Sequence, residues 1–326
     1  MAEERVLSWG IIGAGDIVRR RVAPAINDLR NCELTAIARA NADKAEEFAR
    51  EFGAKRWYSD LRELVKDDEV DAVYVATPVY LHAEQTIAAA EAGKHVLCEK
   101  PMAMNEAECD AMIAACEANA VKLGIAYYRR FYPVLARVRE LLASGEIGQP
   151  VVAQISSFEY VDIAPGDPRH WFLEKDKNGG GPMMDFGCHR LEVLTNLFGS
   201  VHRMSSLTAN VEWKDREVED TAVATLEFEN GPIATVTVTH GAFEPQDTLD
   251  IYCTAGSIHI PVLNRGDLRI VSKAGERIES HPNGANTDEP LIADFANAVL
   301  NDKKPSVGGE TGREIARLMD EIYRDH

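Results

Sequence analysis

The chain has no CxxC pair and no run of apolar residues approaching the roughly 18 that a membrane span needs. It has no internal repeat, no low-complexity tract and no basic cluster longer than Arg19, Arg20 and Arg21. Its six cysteines are Cys32, Cys98, Cys109, Cys116, Cys188 and Cys253. Scattered in this way they offer neither a zinc-finger spacing nor a disulfide framework, and reduced, mostly buried thiols are the expectation. Positive charge is also short, with 35 Lys and Arg against 53 Asp and Glu and a formal net charge of −18. Such a surface repels nucleic acid and anionic membranes. The opening "MAEERVLSWGIIGAG" lacks the basic start and small-residue cleavage site of a signal peptide, so a cytoplasmic location is expected.

What is present is a regular alternation. Over residues 6 to 126, the β-rich runs "VLSWGIIG", "CELTAIAR", "DAVYVATP", "KHVLCEKP" and "VKLGIAY" are separated by helical stretches. Ala42, Ala45, Phe48 and Ala49 recur at helical spacing within 42–52, and Leu81 to Ala92 reads as a helix stopped by Gly93. Strands alternating with helices imply right-handed βαβ units, and hence a doubly wound α/β domain with a parallel sheet covered on both faces. The first domain is assigned to residues 1–126 and the second to 127–326, with the closing helices available to pack back on the first.

The second domain reads differently. A helix over about 131–143, a strand over 151–160 and a polar loop to Gly181 precede a helix over 182–198. A hairpin is expected around Asn230-Gly231, with further strands at 250–260 and 268–272, making an α+β domain with a mainly antiparallel sheet. Two helical stretches, "DEPLIADFANAVLND" and "GETGREIARLMDEIY", close the chain.

Gly13 and Gly15 stand where the first strand turns into the first helix. There glycine permits a tight turn, and free N–H groups attract a pyrophosphate. Asp16 and Ile17, which open that helix, join them as expected cofactor contacts, while Val18 occupies the position where the third glycine of the fingerprint belongs. The second strand ends in Ala38 and Arg39, without the acid that normally holds an NAD ribose. Arg39 suits a 2′-phosphate, which favours NADP over NAD; a solvated loop arginine is the alternative.

Ligands of open α/β sheets lie beyond the carboxyl ends of the strands. Thr77, Pro78 and His82 follow one such end, and Glu99, Lys100 and Pro101 follow the next, on the edge that carries the glycine turn. In the second domain Asp185 and His189 are four apart on an expected helix and share a face, preceded by Gly179, Gly180 and Gly181, which let the backbone approach a ligand closely.

The segments "GIIGAGDI", "ATPVYLH", "AGKHVLCEKPMAMNEAE" and "GGGPMMDFGCHRLEVL", with the closing "LIADFANAV" and "VGGETGREIARLMDEIY", resemble the Gfo/Idh/MocA family of oxidoreductases over essentially the whole chain. The resemblance implies an N-terminal Rossmann domain, and a C-terminal domain whose open sheet forms a homodimer or homotetramer. It implies hydride transfer between NAD(P) and the carbinol or carbonyl carbon of a sugar-like or polyol substrate. It also makes Lys100, Asp185 and His189 the catalytic residues. Histidine serves as acid or base near neutral pH, so His189 is the expected proton carrier. Lys100 would stabilise charge on the reacting oxygen and Asp185 would orient the substrate or keep Lys100 charged; Lys100 is the alternative proton carrier. Tyr128 and Arg130 are expected either in the substrate cleft or at the domain junction. Trp171, in "DPRHWFLEK", is a substrate candidate on family grounds, although Phe172 stands where related sequences often have Arg. No metal is expected. The competing activities are an NAD-dependent glycosidase with transient oxidation, and a noncatalytic dinucleotide sensor.

Overall fold

A computed structural model describes residues 5–324. Two compact units are present: one holds the chain up to Tyr128 together with Asn286–Ala316, the other Arg129–Ala285 together with the segment from Arg317. Among the described residues, no helix is long and apolar enough to cross a membrane.

In the first unit, β1 (Leu7–Ile12) buries Trp9 and Ile11 completely. A π turn (Val18–Val22) then leads into α1 (Ala23–Asp28). Pro24 lacks an N–H and its ring cannot sit against the carbonyl four residues earlier. The helix widens ahead of it, with Ala23 N bonding Val18 O. The alternation continues through β2 (Cys32–Ala38), α2 (Ala42–Phe52), β3 (Arg56–Tyr58), α3 (Leu61–Leu64) and β4 (Ala72–Val75). It finishes with α4 (His82–Glu91), β5 (His95–Cys98), α5 (Glu106–Ala118) and β6 (Leu123–Ile125). The six strands pair in the order β3-β2-β1-β4-β5-β6, all parallel, so the order reverses direction between β1 and β4. Each run expected to be a strand contains one. β3 escaped sequence reading because it has three residues and none is fully buried.

α2 forms where its periodicity places it. Asn41 caps it by accepting from Lys44 N, and Gly53 ends it in the left-handed region at φ 75°. Gly93 follows α4 with the same conformation, φ 75°.

The second unit begins with α6 (Pro133–Ser144), β7 (Pro150–Tyr160) and α7 (Lys175–Asn178). The helix expected over 182–198 is a π turn (Met183–Gly187) continuous with α8 (Cys188–Phe198). Then come β8 (Val201–Ala209), β9 (Thr221–Phe228), β10 (Ile233–Thr239) and β11 (Gly241–Cys253), followed by β12 (Gly256–Ile260), β13 (Asp267–Ser272) and β14 (Gly275–Ser280). The sheet order is β14-β13-β12-β11-β7-β10-β9-β8. It is antiparallel throughout except where β10 lies parallel to β7. The single run expected at 250–260 is the end of β11, a turn and β12.

The β9–β10 hairpin forms around Asn230-Gly231, but not through a two-residue primed turn. Phe228 N bonds Pro232 O across a wider loop. Gly231 keeps a negative φ and is pinned instead by space, since a Cβ there would lie 3.0 Å from that of Phe228. One face of this sheet is dry, with Ala222, Ala224 and Leu226 of β9 and Val236 and Val238 of β10 buried. The alternate positions are open, and Leu207, Ile233 and Tyr252 are exposed.

Helix α9 (Glu289–Leu300) packs within the first unit, where Phe295 meets Trp9 at 5.6 Å between ring centroids. Gly124 of β6 makes room for that ring, since a Cβ there would come within 2.7 Å of it. Helix α10 (Gly309–Tyr323) buries Ile315, Leu318, Met319 and Ile322 along one stripe. The division between the units falls within it, after Ala316.

Candidate functional site

At the carboxyl edge of the first sheet the two glycines have distinct duties. Gly13 adopts φ 91°, its N–H bonds Ala38 O, and a Cβ would fall 2.7 Å from Ala76 O. Gly15 is exposed, and a Cβ added to it would meet nothing within 4 Å. The backbone there is open to a ligand at the start of a helix, with Asp16 exposed and Ile17 half-buried beside it. Val18, in the third fingerprint position, is fully buried and begins the π turn. Arg39 leaves β2 half-buried; its backbone N–H bonds Tyr58 O, and its guanidinium makes no ion pair with another described residue.

The exits of β4 and β5 are tied to one another. Buried His82 places Nε2 2.8 Å from Thr77 O and Nδ1 2.9 Å from Pro101 O. Both partners are acceptors, and a neutral ring donates to one only. Burial pushes His82 below the ordinary imidazole range, against the pull of those carbonyls and of Glu99. With 1% of its surface exposed, His82 braces the two loops; it does not present its ring to a cofactor, as the sequence had suggested. Thr77, half-buried, donates from Oγ1 to Gln85 at 2.7 Å, and Pro78 is half-buried beside it. Glu99 accepts from the hydroxyl of buried Tyr74 at 2.8 Å and from the backbone N–H of Lys100 at 3.1 Å. Burial first, and then the Glu99 charge, push the Tyr74 phenol well up, so it stays a donor. Lys100 is half-buried at the end of β5, and its peptide with Pro101 is cis.

In the second unit, Asp185 lies within the π turn and His189 in the first turn of α8. His189 is 3% exposed, whereas the Asp185 side chain is 24% exposed. Sequence reading missed the neighbours of Asp185. Buried His240 brings Nε2 to 3.7 Å from Asp185 Oδ2, beyond hydrogen-bond length, and meets Phe186 edge-on. Glu159, at the end of β7, is held above the ordinary carboxylate range by burial and then by the Asp185 charge. Glu159 comes from β7, His240 from the junction of β10 and β11, and Asp185 from the π turn, so no local motif marked them. The next residue on α8, Arg190, pairs with Asp247.

The remaining candidates are each engaged within their own unit. Tyr128 lies under Arg21, whose guanidinium carbon is 5.4 Å from the ring centre. Arg130 donates to Glu192 at 2.6 Å; burial pushes that carboxyl up, opposed by the arginine. Trp171 stacks on Phe172 at 4.1 Å, and Phe172 packs on the cluster of Ile163, Leu173 and Val218. Phe172 thus serves packing at the place where an arginine was the family expectation. The three glycines are not a ligand approach either. Gly179 ends α7 at φ 78°, and Gly180 and Gly181 abut Tyr323 and Glu219.

A separate Ser–His–Asp constellation occupies the second sheet: Ser257 Oγ is 2.9 Å from His259 Nε2, and His259 Nδ1 is 2.6 Å from Asp250. Pairing of β12 on both sides directs its backbone N–H groups into the ladders, away from any oxyanion position. Among the described residues, no group of three His, Cys, Asp or Glu is placed to hold a metal ion. None of the six cysteines is in a disulfide, and five are buried.

Residues 7–127 match a family model described as an oxidoreductase family with an NAD-binding Rossmann fold, and residues 135–259 match the GFO/IDH/MocA C-terminal domain. The chain is 32% identical to a 1,5-anhydro-D-fructose reductase of Ensifer adhaerens, over 93% of this chain and 91% of that one. It is 29% identical to D-xylose 1-dehydrogenase (NADP(+)) 2 of Haloferax volcanii, over 97% and 96% of the two chains. A solved levoglucosan dehydrogenase in complex with NADH and L-sorbose superposes with a TM-score of 0.90 at 26% identity, covering 98% of this chain and 96% of that one.

Proposed function

The chain belongs to the Gfo/Idh/MocA family of oxidoreductases, an NAD(P)-binding group with sugar dehydrogenases and reductases among its members, and from that we propose its reaction. It moves hydride between NADP(H) and the carbinol or carbonyl carbon of a sugar-like or polyol substrate. The observation that carries this reading is the first sheet's carboxyl edge, where open Gly15 follows β1, Arg39 follows β2 without an ion pair to another described residue, and Lys100 follows β5. The nicotinamide, when bound, supplies or accepts the hydride. Gly13, Gly15, Asp16 and Ile17 receive the pyrophosphate, and Arg39 takes the 2′-phosphate through its planar fork. Thr77, Pro78 and Glu99 line the nicotinamide end.

His189 carries the hydroxyl proton, as base in oxidation and as acid in reduction. Lys100 donates to the reacting oxygen, and Asp185 orients the substrate. Tyr128, Arg130 and Trp171 are the further substrate residues of this reading. The names of the relatives above, all dehydrogenases or reductases, support net redox chemistry over glycoside cleavage or sensing. The open face of the second sheet joins copies of the chain into a dimer or tetramer, and a single-chain mass by light scattering would contradict that. Six cysteines without a disulfide fit a reducing, cytoplasmic setting.

The test is to assay the purified protein for bound dinucleotide, then follow reduced-nicotinamide absorbance with a panel of sugars, inositols and dicarbonyls. Turnover with at least one of them is expected. Glycoside cleavage on a retained cofactor, without net reduction, would transfer the assignment to the glycosidase.

A further inference from the structure

The residues that carry Asp185 and His189 begin at a buried carboxylate. Gly181 N donates to Glu219 Oε2 at 2.7 Å, and Met183 N donates to Oε1 at 3.1 Å. The hydroxyl of Tyr323, the last residue of α10, donates to the same Oε1 at 2.7 Å. The initial N–H groups of a helix have no partner within it, and an anion at that end is favoured by the helix dipole. Glu219 is 7% exposed; burial pushes its carboxyl up, opposed by the donors Gly181 N, Tyr323 and Met183 N, for which its two oxygens act as acceptors. The neighbouring glycines fit the same assembly. A Cβ on Gly181 would fall 1.8 Å from Glu219 O, and one on Gly180 would fall 2.2 Å from the Tyr323 hydroxyl.

On the oxidoreductase reading given above, we propose that Glu219 and Tyr323 form a clamp that sets the position of Asp185 and His189, with Tyr323 acting through Glu219. They are positioning residues. Burial and the Glu219 charge push the Tyr323 phenol well up, keeping it a donor. The anchor holds through two backbone N–H groups and the hydroxyl of half-buried Tyr323, all converging on a buried carboxyl. Asp185 follows Met183 by two residues, and Asp185 N itself bonds Gly181 O at 3.1 Å, so a shift at Glu219 passes to the catalytic turn without an intervening loop.

Tyr323→Phe keeps the ring and removes the one side-chain donor of the three; Glu219→Gln keeps the shape and puts an NH2 in place of an accepting oxygen. In the full chain, each should lower kcat about tenfold while leaving dinucleotide Kd unchanged, a displacement effect on reacting groups. A second readout needs no turnover: the ring resonances of His189, assigned by comparison with His189→Asn, should move in Tyr323→Phe. Wild-type kcat with unmoved His189 resonances would overturn the clamp. So would a lower melting temperature with His189 unmoved, which is what a merely structural bond would give. If the wild type turns over no sugar, the functional reading fails, and the His189 resonances still decide the clamp.

Discussion

Gly13 and Gly15 are two residues apart and are glycine for different reasons. At Gly13 the backbone demands it, with φ 91° and Ala76 O in the place of a side chain; at Gly15 only a ligand would object. Gly13→Ala should therefore cost about 1–3 kcal/mol of stability in thermal or denaturant unfolding. Gly15→Ala should melt like the wild type yet bind dinucleotide about tenfold more weakly, which titration of cofactor fluorescence would show. Equal binding would remove Gly15 from the cofactor site. Arg39→Ala should raise KM for NADP about tenfold or more and leave KM for NAD unchanged, the loss of a charge-assisted fork. An unaltered ratio of kcat/KM for the two cofactors would contradict the assignment. Single residues at strand ends were legible because the rule for parallel sheets places them. Gly180 and Gly181 were not, since what makes them glycine is Glu219 and Tyr323, far off in sequence.

At the scale of elements, the long amphipathic stretches declared themselves. α2 and α10 occupy the ranges their spacing indicates, because a stripe of apolar residues with a period near 3.6 has few other places to go. Less visible were the π turns, which preserve composition while changing hydrogen bonding, and the short or polar edge strands β3, β8 and β14. β14 is attached to α6 by charge. Glu279 accepts from Arg137 at 2.8 and 3.1 Å, and also meets Arg277 and His281. Arg137 first, then His281 and Arg277, hold its carboxyl far below its ordinary value of 4.5. The folded state thus binds this proton less readily than the unfolded one. The stabilisation is present above the ordinary value and disappears as pH falls through it toward the depressed one. With the pair partly exposed, Glu279→Gln should lower the melting temperature by about 2–4 °C at neutral pH. The gap should narrow as pH falls below the ordinary value and close only toward the depressed one, and equal melting temperatures at neutral pH would contradict this.

For the whole molecule, composition and alternation were enough to separate a parallel α/β unit from a mainly antiparallel one, and both are present. The return of Asn286–Ala316 to the first unit was open in sequence: α9 is amphipathic, and only Phe295 against Trp9 and Gly124 shows which core it completes. Half of the candidate site followed from the sheet rule, namely the glycine turn, Arg39 and Lys100. Asp185 and His189 were marked by their spacing of four and by the family resemblance, but His240 and Glu159 around Asp185, and the Glu219 contact to Gly181, were not, because residues distant in sequence supply them. The net charge of −18 adds that an anionic dinucleotide must be held by local donors against the general field. The central claim is hydride transfer to or from a sugar-like carbon with Lys100 at the reacting oxygen. It is tested most directly by following reduced-nicotinamide absorbance for wild type and Lys100→Ala with the same NADP(H) and sugar panel. The account predicts turnover in the wild type and its loss in Lys100→Ala, with dinucleotide still bound; equal rates in the two proteins would contradict it.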